Sequence, residues 1–189
     1  MAKKAESPRC RFCGSPLQHT FADLGMQPLC ESYVGPDQLN QMEPFYSLHV
    51  YVCGNCFLVQ LEEYLTPKAI FSEYAYFSSY SDAWLSHSQN YVEMIMDRLK
   101  LNKNSRVVEV GSNDGYLLQY FVNRGIPVLG VEPAANVAEV AIRKGIPTIV
   151  EFFGLKTAKE LATKKKHADL LIGNNVLAQV PNLNEFTEV

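Results

Sequence analysis

The stretch RVVEVGSNDGYLLQ, residues 106–119, gives the strongest indication of the fold that we expect for this chain. An apolar run of β-branched residues is interrupted by Glu109, turns through Gly111 and Gly115, and continues with the spacing of a helix. A buried strand that turns through glycines into a helix is the arrangement with which open α/β sheets hold a nucleotide. Several nucleotide ligands use such a turn, so the surrounding residues have to identify the ligand.

The alternation of strand and helix continues beyond this turn. Strand patterns occupy residues 106–110, 127–133 and 147–153, a fourth begins at Ala168 and runs into a loop, and helix patterns occupy residues 116–125, 134–145 and 157–166. Such alternation predicts a parallel sheet with helices on its faces. Four strands followed by the start of another helix, NLNEFTEV, indicate part of a doubly wound, Rossmann-like sheet that is cut short.

The composition changes near residue 80. The first 80 residues hold all five cysteines and most of the prolines, and residues 47–61 have the pattern of two short strands joined by a cysteine turn. From Ser81 to Lys100, apolar residues recur at spacings of three and four, which predicts a helix with Ser81 or Asp82 as its N-cap. We therefore expect a small β-rich domain at residues 1–80, a linking helix at 81–102 and the α/β domain at 103–189.

Four of the cysteines form two CxxC pairs, CRFC and CGNC. A CxxC turn places two thiolates on one side of a tight bend, and two such turns complete a closed, tetrahedral four-cysteine zinc site that stabilises folding. A glycine in or beside each pair, Gly14 and Gly54, helps the backbone turn toward sulfur. The alternative is two unrelated pairs, one of them redox-active, but no thioredoxin-like βαβ pattern surrounds either. The predicted zinc ligands are Cys10, Cys13, Cys53 and Cys56.

One further cysteine and one histidine in the first 80 residues also need an interpretation. Cys30 stands alone and is predicted to be a buried small residue, and His19 is a possible substitute zinc ligand.

A net charge of −3 gives no general attraction to nucleic acid or to an anionic membrane. No apolar run approaches the roughly 20 residues that span a bilayer, and the first ten residues lack the apolar core of a secretory signal. These features predict a cytoplasmic protein.

The turn GSNDG departs from the dinucleotide fingerprint GxGxxG. Gly111 lets the chain leave the strand sharply and Gly115 permits close approach to a ligand. Asn113 and Asp114 either contact that ligand or cap the following helix. Asp114 also places a negative charge where a pyrophosphate would rest, which disfavours NAD and favours a ligand with a neutral or cationic group.

A second acid, Glu132, ends the next strand about 20 residues beyond the turn, where a carboxylate can accept hydrogen bonds from both ribose hydroxyls. Adenosine without a phosphate next to the turn, together with a positive centre, describes S-adenosylmethionine. The alternative for Glu109 and Glu132 is that both are surface carboxylates at strand ends.

With these motifs the chain resembles the C-methyltransferases of deoxysugar biosynthesis, which join an N-terminal zinc-binding domain to an S-adenosylmethionine-binding, Rossmann-like domain. The matching pieces are CRFCG, CGNC, YAYFSSYSDAW, EVGSNDGYLL, GVEPAANVA and NNVLAQVP, in family order. The resemblance implies methylation at C-3 of a nucleotide-linked 4-keto sugar, by removal of a proton beside the ketone and attack of the enolate on the sulfonium methyl. Members of that family are longer, and their C-terminal half supplies the base, so we expect little or no catalysis from this chain alone.

The resemblance also implies roles for individual residues. Tyr76 would hydrogen-bond the developing enolate oxygen, with domain packing as the alternative, and packing is the role expected of Tyr74. Gln179 stands where the family often has a histidine; it could contact the substrate but could not relay a proton. The residues that would contact the cofactor are Glu109, Gly111, Ser112, Asn113, Asp114, Gly115, Glu132, Pro133, Asn174 and Asn175.

Two other functions stay open. The chain could be a zinc-containing binding or scaffold module without catalysis, or a nucleotide-dependent oxidoreductase, which the GSNDG turn disfavours. For the methyltransferase we expect a small-molecule partner, a nucleotide-linked sugar, and neither nucleic acid nor membrane. The sequence leaves the oligomeric state open.

Overall fold

The computed structural model describes residues 8–164 and 167–188. Two predictions concern residues outside this range. One is the absence of a secretory signal at the start of the chain, and the other is the end of the helix predicted for residues 157–166, where Lys165 and Lys166 lie outside the described residues. The chain divides into two compact units. The first reaches Thr66 and includes Pro181–Asn184, and the second holds Pro67–Val180 and the residues from Glu185 onward.

The first unit is built on a three-stranded antiparallel sheet. Its strands are β1 (His19–Pro28), β2 (Phe45–Val52) and β3 (Val59–Leu61), with β2 in the middle. The second cysteine pair lies between β2 and β3, so the predicted strands around a cysteine turn are confirmed. The register of β1 against β2 shifts between Thr20 and Ala22 and again between Asp23 and Met26. These irregularities interrupt the alternation by which a strand is recognised in a sequence.

The second unit is built around a parallel sheet. Two helices precede the sheet, α1 (Pro67–Phe71) and α2 (Asp82–Leu99). Strands and helices then alternate as β4 (Val107–Val110), α3 (Leu118–Asn123), β5 (Val128–Val131), α4 (Ala135–Arg143), β6 (Thr148–Ile149), α5 (Leu155–Thr163) and β7 (Leu170–Ile172). The last helix, α6 (Leu183–Thr187), has its first two residues in the first unit and the others in the second. All strand pairs are parallel and the sheet order is β6-β5-β4-β7. The predicted Rossmann-like sheet with flanking helices is therefore confirmed.

Strand β4 lies at the centre because its alternate residues contribute to the cores on both faces of the sheet. Val107 belongs to one core with Leu118, and Val108 belongs to the other with Leu129. All four residues of β4 are buried. A nearly continuous apolar run is typical of a central parallel strand, and the buried acid Glu109 is the exception.

Helix α2 confirms the predicted helix and its cap. Ser81 is the N-cap, and its Oγ accepts a hydrogen bond from the backbone N–H of Trp84 at 3.3 Å. The C-cap is Lys100, whose φ of 55° is left-handed and stops the helix. Apolar side chains of α2, among them Trp84 and Ile95, pack against one core of the second unit. Like the other described helices, α2 lacks the combination of length and apolar composition that is needed to cross a membrane.

The strand order predicts a binding crevice beyond the carboxyl ends of the strands. From β4 the chain moves outward to β5 and β6, and it then returns to place β7 on the other side of β4. In open α/β sheets, ligands bind beyond the carboxyl ends of the strands at the point where this direction reverses. The loops that follow β4, β5, β6 and β7 are therefore where functional side chains are expected.

Candidate functional site

The four predicted zinc ligands converge in the first unit. Cys10 and Cys13 precede β1, and Cys53 and Cys56 lie between β2 and β3. The four sulfur atoms lie within 4.8 Å of one another, with 3.5 Å between the Sγ atoms of Cys10 and Cys56 and 3.6 Å between those of Cys13 and Cys53. Sulfur atoms bound at about 2.3 Å to one tetrahedral zinc ion would be about 3.8 Å apart. The cluster therefore fits a single ion with no open position.

The two cysteine turns share one backbone geometry. The carbonyl of Cys10 accepts from the N–H of Gly14 at 2.9 Å, and the carbonyl of Cys53 accepts from the N–H of Phe57 at 3.0 Å. Both donor residues are left-handed, with φ of 74° at Gly14 and 62° at Phe57. The turning role predicted for Gly14 is confirmed, whereas in the second turn a phenylalanine occupies the equivalent position.

Three predictions in this unit need correction. Gly54 is not left-handed; a Cβ there would lie 3.0 Å from Nε2 of His19, so this glycine makes room for the ring. Among the described residues, the group that could hold a metal ion contains the four cysteines and does not include His19. Four cysteines suffice without it. Cys30 is exposed rather than buried, because it follows β1 in a loop that lies outside the hydrophobic cluster of the unit.

Gln60 supports the cysteine cluster and was not predicted. The residue is buried; its Nε2 donates to Cys10 Sγ at 3.2 Å, and its Oε1 accepts from the backbone N–H of Arg11 at 2.9 Å. A donor to a thiolate offsets part of its charge and orients it toward the metal. The only signal in the sequence was one polar residue in a short apolar strand, 50 positions from Cys10.

Glu132 connects the ends of strands β4 and β5. One carboxylate oxygen accepts from the backbone N–H of Asn113 at 2.9 Å, and the other accepts from that of Ala134 at 2.9 Å. Only 6% of the residue is exposed, so the alternative of a surface carboxylate is wrong. Burial raises the pKa of Glu132, and the two backbone donors oppose that rise. Each oxygen keeps a lone pair that can accept from a ligand hydroxyl.

Glu109 is the most unusual residue of the crevice. It is completely buried in β4, which excludes a surface role, and neither carboxylate oxygen has a hydrogen-bond partner. Burial holds the pKa of Glu109 well above its usual range, and the nearby charge of Glu132 adds to the rise. The hydroxyl of Tyr116 and the amide of Asn174 oppose it, although neither has the geometry of a hydrogen bond to the carboxylate.

Two acids of the crevice, Glu109 and Glu132, have no basic partner in the described part of the chain. None of the ion pairs found there includes Glu109 or Glu132. The hydroxyl of Ser112 is likewise buried without a hydrogen-bond partner. Buried charge without a counter-charge or hydrogen bond is costly. Glu109 and Ser112 therefore fit a ligand that brings a cationic group and hydrogen-bonding groups to the carboxyl ends of the strands, and Glu132, which has backbone donors only, can accept further hydrogen bonds from it.

The side chains of Asn113 and Asp114 are engaged within the protein. Both polar ends of the Asn113 amide bind the backbone of residues 76–78. The Oδ2 of Asp114 accepts from the N–H of Ser79 at 3.3 Å, and its Oδ1 is buried without a partner. Helix α3 begins at Leu118 without a side-chain cap, so the alternative that Asn113 or Asp114 caps it is wrong.

Lys144 offsets the charge of the turn. Its Nζ lies 3.3 Å from Asp114 Oδ2 and donates to the carbonyl of the same residue at 3.0 Å. A lysine thus compensates the negative charge that was expected to disfavour a pyrophosphate. The unpaired acids of the crevice are Glu109 and Glu132, and the preference for a cationic ligand depends on them.

The two glycines of the turn serve the backbone and the packing. Both are left-handed, with φ of 64° at Gly111 and 78° at Gly115. A Cβ at Gly111 would lie 2.8 Å from Val176, and one at Gly115 would collide with Ile146. Gly115 was predicted to allow close approach of a ligand; the group that approaches it is the side chain of Ile146 in the core.

The remaining predicted residues have different settings. Asn174 follows β7 and donates to the Tyr116 hydroxyl at 3.1 Å. Asn175 is left-handed, with φ of 54°, and its carbonyl accepts from Nε2 of Gln179 at 2.8 Å. The side chain of Gln179 therefore supports the loop after β7. Tyr76, which lies before helix α2, is half exposed.

A cavity of about 490 Å³ adjoins the crevice and was not predicted. It lies beyond the carboxyl ends of β5 and β6, next to Pro133. The residues that line it are Lys68, Ser72, Pro133, Val150, Glu151, Phe152, Phe153, Gly154, Leu155, Lys156, Thr157 and Glu185. The strand predicted for residues 147–153 ends at Ile149, which turns the rest of that segment into a loop along the cavity.

Fold and crevice define an α/β domain of the nucleotide-cofactor-binding type, joined to a small cysteine-rich unit. Residues 10–71 match the family described as "Putative zinc binding domain". Residues 84–187, more than half of the chain, match the family described as "Methyltransferase domain". The chain therefore belongs to the methyltransferase-domain family.

Two curated relatives are similar to the chain. The C-methyltransferase NovU of Streptomyces niveus is 32% identical over 176 residues, which cover 93% of this chain and 42% of that protein. An uncharacterized methyltransferase of Exiguobacterium sibiricum is 36% identical over 86 residues, which cover 42% of this chain and 39% of that protein. The chain spans about two fifths of the length of NovU, and its match to the second relative covers a similar share.

Two solved structures also align with parts of the chain. The MccD protein aligns with a TM-score of 0.25 and 15% identity, over 46% of this chain and 29% of that one. YjhP of E. coli aligns with a TM-score of 0.28 and 17% identity, over 56% of this chain and 35% of that one. Scores this low carry no argument about function.

The two predicted cofactors agree with the families that the chain matches. The zinc-binding match begins at Cys10 and includes all four cysteines, whose closed arrangement is that of a structural zinc site. The donor of the methyl group in a methyltransferase domain of this class is S-adenosylmethionine. The chain thus combines a structural zinc site with an S-adenosylmethionine-dependent type of domain.

Proposed function

We propose that this chain is the cofactor-binding portion of an S-adenosylmethionine-dependent C-methyltransferase that acts on a nucleotide-linked keto-deoxysugar. The proposal is supported by the methyltransferase-domain match, by the similarity to a protein named as a C-methyltransferase, and by the unpaired acids at the carboxyl edge of the sheet. The bound cofactor would supply an activated methyl group, and the residues of this chain would bind and orient it.

Glu132 and the adjoining cavity suit the adenosine part of the cofactor. Two backbone N–H groups fix the direction of the Glu132 carboxylate at the end of β5. A carboxylate in this position can accept from both ribose hydroxyls. The cavity beside Pro133 would then take the adenine ring, because it begins one residue after Glu132 and has apolar walls such as Phe152.

The observation that carries the proposal is Glu109, a completely buried carboxyl group whose two oxygens have no partner. We assign it to the cationic end of the cofactor, where the positive charge would supply the missing interaction. Ser112, Tyr116 and Asn174 would complete this end of the crevice with polar groups. A ligand that places no cationic group beside Glu109 would leave the carboxyl group uncompensated.

The acceptor is assigned from the family resemblance. Tyr76 would hydrogen-bond the oxygen of the keto sugar as that oxygen gains charge, and Gln179 would contact the sugar. Neither is assigned as the base, so we do not expect turnover from this chain alone. The cytoplasmic location and the domain limits at residues 80 and 102 stay predictions.

Calorimetric titration of the zinc-loaded chain with S-adenosylmethionine, S-adenosylhomocysteine and NAD tests the proposal against its alternatives. Binding is the suitable readout because the chain spans only about two fifths of the length of NovU. We expect the first two ligands to bind and NAD to give no signal. Binding of NAD alone would indicate an oxidoreductase. No binding by a chain whose circular dichroism shows a folded protein would favour the scaffold function.

A further inference from the structure

Residues 74–79, here called the strap, are tied to helix α4 and its C-terminal end. The Oδ1 of Asn136 accepts from the N–H of Tyr74 at 3.1 Å, and its Nδ2 donates to the carbonyl of Tyr74 at 2.7 Å. The Nζ of Lys144 donates to Ser79 Oγ at 2.9 Å. The amide of Asn136 thus pairs with the strap as a neighbouring β-strand would, across 62 positions of sequence.

The strap is also tied to the glycine turn by Asn113. The Oδ1 of Asn113 accepts from the N–H of Ser78 at 2.8 Å, and its Nδ2 donates to the carbonyl of Tyr76 at 3.0 Å. The backbone N–H of the same asparagine donates to Glu132 at 2.9 Å. Asn113 therefore connects the strap on one side with the proposed ribose-binding carboxylate on the other.

The strap borders the crevice itself. The carbonyl of Tyr76 accepts from Asn113 Nδ2 at 3.0 Å, and the N–H of Ser79 donates to Asp114 Oδ2 at 3.3 Å, so the strap lies along the glycine turn. Asn113 is only 7% exposed, so its amide depends on the strap for its hydrogen bonds. If the strap moved away, both ends of that buried amide would lose their partners, and the turn that holds Glu132 would have to rearrange.

We propose that Asn136 is a positioning residue for the cofactor site, because it holds the strap in the place that keeps the glycine turn and Glu132 in their binding geometry. This inference rests on the proposed function, since the ligand is taken to be S-adenosylmethionine. Substitution of Asn136 tests positioning and not direct contact with the ligand, because both polar ends of its side chain are hydrogen-bonded to the backbone of Tyr74.

The test compares Asn136→Ala with Asn102→Ala. Asn102 is a matched control, since its amide also accepts from a backbone N–H, that of Asn104, and donates to a backbone carbonyl, that of Lys100. Asn102 lies before β4, at the edge of the sheet opposite the crevice. Trp84 is the only tryptophan and stacks on Tyr116, so we expect its fluorescence to change on ligand binding, which stopped-flow experiments can follow.

We expect Asn136→Ala to weaken S-adenosylmethionine binding about five- to tenfold, mainly through slower apparent association, because a smaller fraction of the ligand-free protein is binding-competent. Asn102→Ala should bind as the wild type does. Asn136→Asp keeps the acceptor for the Tyr74 N–H and should retain part of the affinity. Hydrogen exchange of residues 74–79 should accelerate in Asn136→Ala while exchange in β4 stays unchanged.

The outcomes separate this inference from the proposed function. Equal ligand affinity in Asn136→Ala and wild type would overturn the inference and leave the proposed function intact. The inference would also be overturned if Asn136→Ala exchanged faster throughout the second unit and Asn102→Ala lost as much affinity as Asn136→Ala. Both results together would show a general loss of stability and not a local effect of the strap. A wild-type chain that binds no S-adenosylmethionine would overturn the proposed function, and this inference with it.

Discussion

The cysteine cluster of the first unit and the acidic crevice of the second both gather anionic groups around one point, but they are built differently. Four thiol groups come from two local turns that repeat one backbone geometry. The crevice draws Glu109 from β4, Glu132 from the end of β5 and Asn174 from the loop after β7. A zinc ion would contribute folding free energy to the small first unit, whose hydrophobic cluster includes the cysteines themselves, whereas the second unit has two hydrophobic cores of its own.

The largest effect should follow from removing a zinc ligand. Cys53 is completely buried in the cluster, and Cys53→Ser should abolish stoichiometric zinc and unfold the first unit. Structural zinc contributes on the order of 10 kcal/mol in small domains. Zinc analysis and hydrogen exchange of β2 and β4 measure the result, with exchange accelerated only in β2. The control is Cys30→Ser, which should keep its zinc; a folded, zinc-loaded Cys53→Ser would contradict the assignment.

The second effect concerns the buried acid of the crevice. Glu109→Gln keeps the shape of the side chain but removes its charge, and it should weaken S-adenosylmethionine binding about ten- to a hundredfold, the order expected for one charge-assisted interaction. Calorimetry measures the affinity. The exposed Glu139→Gln on helix α4 is the control and should leave the affinity unchanged.

The same substitution should change how stability depends on pH. Because burial raises the pKa of Glu109, its contribution to stability is fully present below the unfolded-state pKa of about 4.3 and is lost as the pH rises through the folded-state value. Glu109→Gln lacks this loss, so it should be more stable than the wild type above neutral pH and show a flatter profile. Denaturant unfolding monitored at Trp84 gives the comparison, and parallel profiles would refute the assigned pKa shift.

A smaller effect is expected beside the zinc cluster. Gln60→Ala removes the donor to Cys10 Sγ and the acceptor for the N–H of Arg11. Loss of such a supporting contact typically lowers metal affinity about tenfold or more. Competition with a chromophoric chelator measures the affinity. Gln41→Ala, an exposed glutamine in the same unit, should compete as the wild type does.

The smallest expected effect is a change in stability when the left-handed residue of either cysteine turn is substituted. Phe57→Gly relieves a left-handed backbone, worth about 1–2 kcal/mol, but adds the entropy cost of glycine, about 0.5–1 kcal/mol, so a net gain of about 0.5 kcal/mol is expected. Gly14→Ala introduces the same strain in the other turn and should destabilise the protein. Thermal unfolding with zinc bound measures both, and a destabilised Phe57→Gly would show that the exposed ring has a packing role.

Features that depend on neighbouring residues were predictable from the sequence. The cysteine pairs, the cap at Ser81 and the strand–glycine–helix turn all lie within a few positions, where spacing reflects geometry directly. The alternation of strands and helices likewise predicted the parallel sheet. The irregular strand β1 was missed because its register shifts disrupt the pattern.

Features that depend on distant residues were not predictable. The donor from Gln60 to Cys10 and the anchoring of the strap by Asn136 connect residues 50 and 62 positions apart, and neither forms a motif. Lys144 offset the charge of Asp114, so the acid that seemed decisive in the turn proved to be paired. Pairing of this kind is set by tertiary packing, and a linear pattern of charges does not contain it.

The proposed function depends above all on an unpaired, buried Glu109 that holds the cationic end of S-adenosylmethionine. The decisive experiment is the affinity of the wild-type chain for that cofactor across the pH range, with Glu109→Gln measured in parallel. A cation beside Glu109 favours the ionised carboxylate, so the wild-type affinity should rise as the pH passes upward through the pKa of the ligand-free residue, and the variant should lack this rise. Affinities that are equal in both proteins and follow the same pH profile would contradict this role of Glu109.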